Sequence, residues 1–132
     1  MNVEMFVLCD AATDHAGKLN ILGAYDTILG SKMPLPCASV VLAARLRFRQ
    51  EEQGRKNCEL RVMDYDGRAV LPPLLAHMDV VIPESRDSAA VNLIVNLANI
   101  TFQRPGPYRI DLVMDAQVRA SLPIDVQVRG NP

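Results

Sequence analysis

The chain has 132 residues, 49% of them hydrophobic, so residues 1–132 can form one domain whose core needs neither disulfides nor metals. Its 14 basic and 15 acidic residues give a formal net charge of −1, which argues against general affinity for nucleic acid or for anionic membranes. We expect neither a secretory signal nor a membrane span, because the N-terminus lacks the signal pattern and no apolar run approaches the roughly 20 residues that cross a bilayer.

The N-terminal part of the chain alternates between apolar and polar residues with a period of two, which is typical of β-strands. Residues 2–8 form the first predicted strand and 18–29 the second, with a polar turn between them that begins at Cys9-Asp10-Ala11-Ala12. The second strand has apolar residues on both faces, so it either lies centrally or faces a partner. The candidate interface residues on this strand are Leu19, Ile21, Leu22, Tyr25 and Ile28.

The clearest alternation in the chain covers residues 40–49. Its predicted inward residues are Val40, Leu42, Ala44, Leu46 and Phe48. Its predicted outward residues are Arg45, Arg47 and Arg49. Residues 57–64 follow as the returning strand of a predicted hairpin, which would bring Glu59 near the arginines. A phosphate- or RNA-binding stripe is the alternative for these arginines, but no aromatic side chain accompanies them, so a solvated sheet face is favoured.

Turn signals and further strands continue to the end of the chain. Asp64-Tyr65-Asp66-Gly67 predicts a tight turn in which Gly67 takes a positive φ. Residues 77–82 predict a short strand, and 89–102 a long strand with a bulge near Asn99. The last two predicted strands are joined by a tight turn at Asp115-Ala116, and we expect residues 130–132 to be frayed.

These elements predict an all-β fold, an antiparallel two-sheet β-sandwich of about eight strands that is immunoglobulin-like or C2-like. The segment Pro105-Gly106-Pro107-Tyr108 is typical of a tyrosine corner. In such a corner the Tyr108 hydroxyl donates a hydrogen bond to upstream backbone. This pattern indicates the fold and carries no function by itself.

Motifs that carry chemistry are missing from the sequence. It contains no Walker loop, GxGxxG, HExxH or GxSxG, so we predict no catalytic residue, no cofactor and no metal site. Cys9, Cys37 and Cys58 include no CxxC pair, which indicates reduced thiols in a cytoplasmic protein. Two alternatives stay open: a C2-like calcium or ligand site that uses Asp64 and Asp66, and a thiol-dependent or hydrolytic site around Cys9 and His15.

Two N-terminal segments together form a recognisable pattern. They are Leu8-Cys9-Asp10-Ala11-Ala12 and, after a short spacer, residues 17–26 (GKLNILGAYD). This pattern resembles the signature of a family of small bacterial proteins of unknown function, and the resemblance covers nearly the whole chain. It implies a bacterial, β-rich protein. No functional residue of that family can be transferred to this sequence.

The function that these patterns favour is a non-enzymatic interaction module. We predict that its partner is another protein or a second copy of the chain, because the strand over 18–29 carries apolar residues on both faces.

Overall fold

The structure is a computed structural model that describes residues 1–129, so the expected fraying of 130–132 lies outside the described residues. Those residues form eleven strands and one short 3₁₀ turn at Gln50–Glu52. The strands are β1 (Asn2–His15), β2 (Lys18–Tyr25), β3 (Thr27–Gly30), β4 (Leu35–Cys37), β5 (Val41–Arg49), β6 (Gly54–Asp64), β7 (Leu74–Val80), β8 (Ser88–Asn96), β9 (Ile100–Phe102), β10 (Gly106–Met114) and β11 (Gln117–Val128).

These strands form three sheets, and the predicted all-β class is confirmed. One sheet has the order β2-β1-β5-β8, the second has the order β3-β11-β10-β6-β7, and the third consists of β4 and β9. Neighbouring strands are antiparallel except β3 and β11, which pair in parallel. The prediction of about eight strands was too low, because two predicted strands are each divided between two sheets and β4 lies where no strand was predicted.

The divisions occur where the chain leaves one sheet for another. The predicted strand 18–29 is divided at Asp26: β2 pairs with β1 in the four-stranded sheet, while β3 pairs with β11 in the five-stranded sheet. The predicted strand 89–102 ends at Asn96, and Asn99 takes a φ of 57° before β9 begins. The expected bulge is therefore a break between β8 and β9.

The first strand is longer than predicted. The run Cys9-Asp10-Ala11-Ala12 does not end it, and β1 continues to His15. The chain reverses at Ala16 and Gly17, whose φ angles of 52° and 80° suit a two-residue hairpin turn. The early strand end was wrong because that run stays in register with β2, where Cys9 pairs with Ala24 and Ala11 with Leu22.

The predicted hairpin between residues 40–49 and 57–64 was also wrong. β5 lies between β1 and β8 in the four-stranded sheet, whereas β6 lies between β10 and β7 in the five-stranded sheet. Glu59 is therefore remote from the arginines of β5 and instead pairs with Arg61, its oxygen 2.6 Å from the guanidinium nitrogen. The alternation within β5 was predicted correctly, since every inward side chain is buried.

The main core takes side chains from both larger sheets. Leu42, Leu46 and Phe48 of β5 belong to the same buried cluster as Ile110 and Leu112 of β10. Full burial of each such side chain contributes about 1.5–3 kcal/mol to stability. This cluster joins the four-stranded and five-stranded sheets.

The predicted tyrosine-corner bond is present beside this core. The Tyr108 hydroxyl donates a hydrogen bond to the carbonyl oxygen of Arg104 at 2.6 Å. Asp115 and Ala116 form the predicted turn between β10 and β11, with φ angles of 52° and 60°. These local features agree with the sequence because each depends on residues that lie close together along the chain.

Candidate functional site

The β1–β2 hairpin folds back over the outer face of the four-stranded sheet. β1 pairs with β5 as far as Cys9, and beyond that point it pairs with β2 alone. At the hairpin turn, the Gly17 carbonyl oxygen accepts hydrogen bonds from Arg45 Nη1 at 3.2 Å and from Asn92 Nδ2 at 3.1 Å. Arg45 lies in the middle of β5, so the hairpin must reverse to reach it. Ala43, on the same face of β5, is fully buried.

A set of polar side chains, which we call the hairpin latch, holds the turn in this position: Glu4, Asp14, Arg45, Arg47 and Asn92. Arg45 donates from Nε to Glu4 at 3.2 Å and from Nη1 to the Asn92 side-chain oxygen at 2.9 Å. Asn92 donates in turn to an Asp14 carboxylate oxygen at 3.1 Å. Arg47 donates to Glu4 at 2.7 Å, and this hydrogen bond lowers the pKa of the Glu4 carboxyl.

The latch changes the interpretation of the arginine row. Arg45 and Arg47 bind Glu4 and are not simply solvated. Arg49 is exposed, and within residues 1–129 its guanidinium has no ion-pair partner. The latch was missed from sequence because Asp14 and Asn92 are 78 positions apart and no local pattern connects them.

The five interface candidates lie in different surroundings. Leu19 and Ile21 are half-buried, and Leu19 pairs across the hairpin with Asp14 of the latch. Tyr25 and Ile28 are half-buried and pack against the main core. Leu22 is 69% exposed. It is therefore the candidate that is available to a partner without any rearrangement.

Leu22 lies in the middle of an open sheet edge. Within residues 1–129, β2 is the end strand of its sheet and pairs only with β1. Four of its residues form an exposed row, which we call the outer row: Lys18, Asn20, Leu22 and Ala24. Beside this row is an open groove of about 360 Å³, lined by Ala11, Ala12, Thr13, Asn20, Ile21 and Leu22.

Gly23 sets the path of this edge. Its φ of 68° is unfavourable for residues with a side chain, and an added Cβ would collide with the Asp10 carboxylate. The two halves of the N-terminal pattern, the one containing Asp10 and the one containing Gly23, therefore meet across the hairpin.

The acidic candidates Asp64 and Asp66 form a turn closed by an ion pair. One Asp64 carboxylate oxygen accepts hydrogen bonds from the backbone N–H groups of Asp66 and Arg68, both at 2.9 Å. Arg104 Nη2 lies 3.0 Å from Asp66 Oδ2 and 3.4 Å from Asp64 Oδ2. The backbone N–H of Arg68, followed by that of Asp66, lowers the pKa of Asp64. In the part of the chain that the structure describes, no group of three or more His, Cys, Asp or Glu residues is placed to hold a metal.

The thiol candidate Cys9 is separated from its proposed base. Cys9 is buried, and its Sγ lies 3.8 Å from the carbonyl oxygen of Val41, whereas His15 is exposed beside the hairpin turn. Burial, with a smaller contribution from Asp10, raises the pKa of the Cys9 thiol. A raised pKa disfavours the reactive thiolate.

We expect the native Cys9 thiol to react with a thiol reagent about tenfold or more slowly than the same thiol in unfolded chain. Because its folded-state pKa is raised, the buried thiol favours the folded state below the ordinary thiol pKa, and this contribution is lost as pH rises through the raised value. Mass spectrometry of labelled peptides across mildly alkaline pH measures the rates. The T13C variant places an exposed control thiol on the same strand, and a Cys9 that labels as fast as this control would contradict the expectation.

Comparisons with known proteins identify a family without an assigned activity. A family model described as a family of unknown function (DUF6941) matches residues 4–127. No curated protein matches the chain. Five chains of solved structures match, among them the beta-glucosidase from Listeria innocua in complex with isofagomine, at 12% identity and a TM-score of 0.48. That match covers 93% of this chain and only 16% of the enzyme chain.

Residues 1–129 contain no helix with the length and hydrophobicity of a membrane span.

Proposed function

We propose a role for this chain, which belongs to the DUF6941 family of unknown function: it is a non-enzymatic module that binds a protein strand along the open edge of β2. The observation that carries the proposal is Leu22, which is 69% exposed in the middle of that edge. Large apolar side chains on an unpaired strand favour association with another chain.

The binding mode is strand addition. The free backbone N–H and C=O groups of β2 pair with an extended segment of the partner and supply affinity that does not depend on the partner's sequence. Leu22 and the neighbouring groove accept apolar side chains at alternate positions of the added strand and supply specificity.

The hairpin latch prepares this edge for binding. Arg45 and Asn92 hold the turn at Gly17, so the hairpin does not have to be ordered when the partner arrives. Ordering a segment during association lowers affinity, and a pre-ordered hairpin avoids that cost.

We extend the proposal to fold class and location. The two larger sheets form a sandwich of immunoglobulin-like or C2-like type, an assignment supported by their shared core and by the Tyr108 corner. A cytoplasmic location is supported by three cysteines that are all free thiols. The calcium and thiol alternatives have less support, because Arg104 forms ion pairs with both Asp64 and Asp66 and because Cys9 is buried away from His15.

The test is selection of peptides from a random display library on immobilised wild-type protein. We expect extended peptides with apolar residues at alternate positions, whose binding is weakened about tenfold or more by Leu22→Asp, because the buried contact is replaced by a charge. Leu75→Asp is the matched control, since Leu75 is 82% exposed on β7, the end strand of the five-stranded sheet. Failure to enrich any peptide, or equal binding to the Leu22→Asp variant, contradicts strand binding at β2.

A further inference from the structure

We propose that the strand bound at β2 is β2 of a second copy, paired antiparallel so that Leu22 of each copy lies opposite Leu22 of the other. This inference rests on the proposed strand-binding role of the β2 edge and names its partner. The occupant follows from charge complementarity between Lys18, the first residue of β2, and Asp26, the residue directly after its last.

Opposite charges lie symmetrically about Leu22. Lys18 precedes Leu22 by four residues and Asp26 follows it by four. A two-fold pairing centred on Leu22 therefore places Lys18 of each copy opposite Asp26 of the other, and the symmetry produces this pair twice. Cross-strand pairs of opposite charge stabilise a sheet, whereas like charges destabilise it.

Both charged groups are available for such pairing. Lys18 and Asp26 are exposed, and neither has an ion-pair partner within residues 1–129. The Asp26 carboxylate accepts one hydrogen bond, from the neighbouring Thr27 hydroxyl at 2.9 Å, and keeps its second oxygen for a new partner.

The charges also select orientation and register. Parallel pairing in register would place Lys18 opposite Lys18 and Asp26 opposite Asp26, which is repulsive. An antiparallel pairing centred on a different residue moves Lys18 away from Asp26 and loses both ion pairs. With the centre at Leu22, the other opposed residues are uncharged: Leu19 with Tyr25, Asn20 with Ala24, and Ile21 with Gly23.

The strand at the other end of the same sheet, β8, has no such charge pattern. β8 is also an end strand, but Ser88–Asn96 contains no charged residue, so electrostatics assigns it neither orientation nor register. A cavity of about 790 Å³ beside Arg47 and Arg49 is also lined by Glu51, Glu52 and Asp87, and this balance of charge favours no class of ligand.

The test reverses the charges of the two residues one at a time and measures dimerisation by sedimentation velocity. We expect wild-type protein to dimerise weakly, in the micromolar to millimolar range, since one leucine per copy and a short strand form a small interface. Lys18→Asp and Asp26→Lys should each weaken dimerisation about tenfold, because each creates two like-charge contacts. An equimolar mixture of these two variants should form a heterodimer of wild-type strength, because every charge pair in it is attractive again.

Leu22→Asp should abolish the dimer and Leu75→Asp should leave it unchanged, with circular dichroism showing that all variants are folded. Wild-type protein that remains monomeric while selected peptides still require Leu22 would overturn the second copy as partner and leave the strand-binding role intact. If the charge reversals leave the dimerisation constant unchanged, or if the mixture of the two variants does not form a heterodimer, the proposed register is wrong. Loss of both the dimer and peptide binding would contradict the proposed function itself.

Discussion

Phe102→Ala is expected to lower the free energy of unfolding by about 4 kcal/mol, within the range for truncating a buried phenylalanine. Phe102 is 1% exposed in β9 and belongs to the core cluster that joins the two larger sheets. Its ring also meets the Tyr108 ring edge-on, with 4.9 Å between centroids and 73° between planes. The variant leaves a cavity and removes this aromatic contact, which adds about 0.5–1.5 kcal/mol beyond burial.

Urea denaturation measures this difference through the transition midpoint at constant slope. Tyr65→Ala is the matched control, because it also converts an aromatic residue to alanine but at a side chain that is 78% exposed. We expect the control to change stability by no more than about 0.5 kcal/mol. Equal decreases in the free energy of unfolding of the two variants would contradict the placement of Phe102 in the main core.

Arg45→Met is expected to release the β1–β2 hairpin and raise amide hydrogen exchange over residues 10–25 about tenfold or more. Methionine keeps much of the aliphatic stem of Arg45 but removes the guanidinium, which donates to Glu4, Gly17 and Asn92. Of the side-chain hydrogen bonds that tie the turn to β5 and β8 within residues 1–129, those from Asn92 to Gly17 and Asp14 would then remain. Local opening should therefore increase in the hairpin and not in the main core.

Hydrogen exchange read by mass spectrometry separates these regions. Arg49→Met is the control: the same substitution four residues further along β5, at an exposed side chain that is not part of the latch. If both variants accelerate exchange equally, or if neither changes residues 10–25, the latch does not hold the hairpin. Peptide binding at Leu22 should weaken in the Arg45→Met variant alone, because the edge is then no longer ordered in advance.

Features that depend on near neighbours could be predicted from the sequence. Alternation predicted the inward side chains of residues 40–49, all of which are buried, since successive residues of a strand point to opposite faces. The Asp64 turn and the Tyr108 hydrogen bond to Arg104 were predicted because both are formed within four residues of chain. Of the candidate site, the sequence singled out the strand 18–29 through its apolar residues on both faces, but no pattern indicated which of its five apolar residues are exposed.

Which of those five residues are exposed depends on where the chain passes from one sheet to another. Tyr25 and Ile28 flank Asp26, where the chain passes from one sheet to the other, so their side chains reach the main core. Leu22 stays exposed because it lies on the open edge of a hairpin that folds back at the latch. No sequence pattern marks either event.

The amino-acid sequence by itself determined the β class, the inward face of residues 40–49 and the tight turns at Asp64–Gly67 and Asp115–Ala116, because these follow from the two-residue period and from local turn chemistry. Tertiary structure alone decided which strands are neighbours, since backbone hydrogen bonds pair strands without regard to their separation in the chain. The latch shows this, because Glu4 meets Arg45 across 41 positions and Asp14 meets Asn92 across 78. Those long-range contacts carry the hairpin over the sheet and leave Leu22 on an open edge.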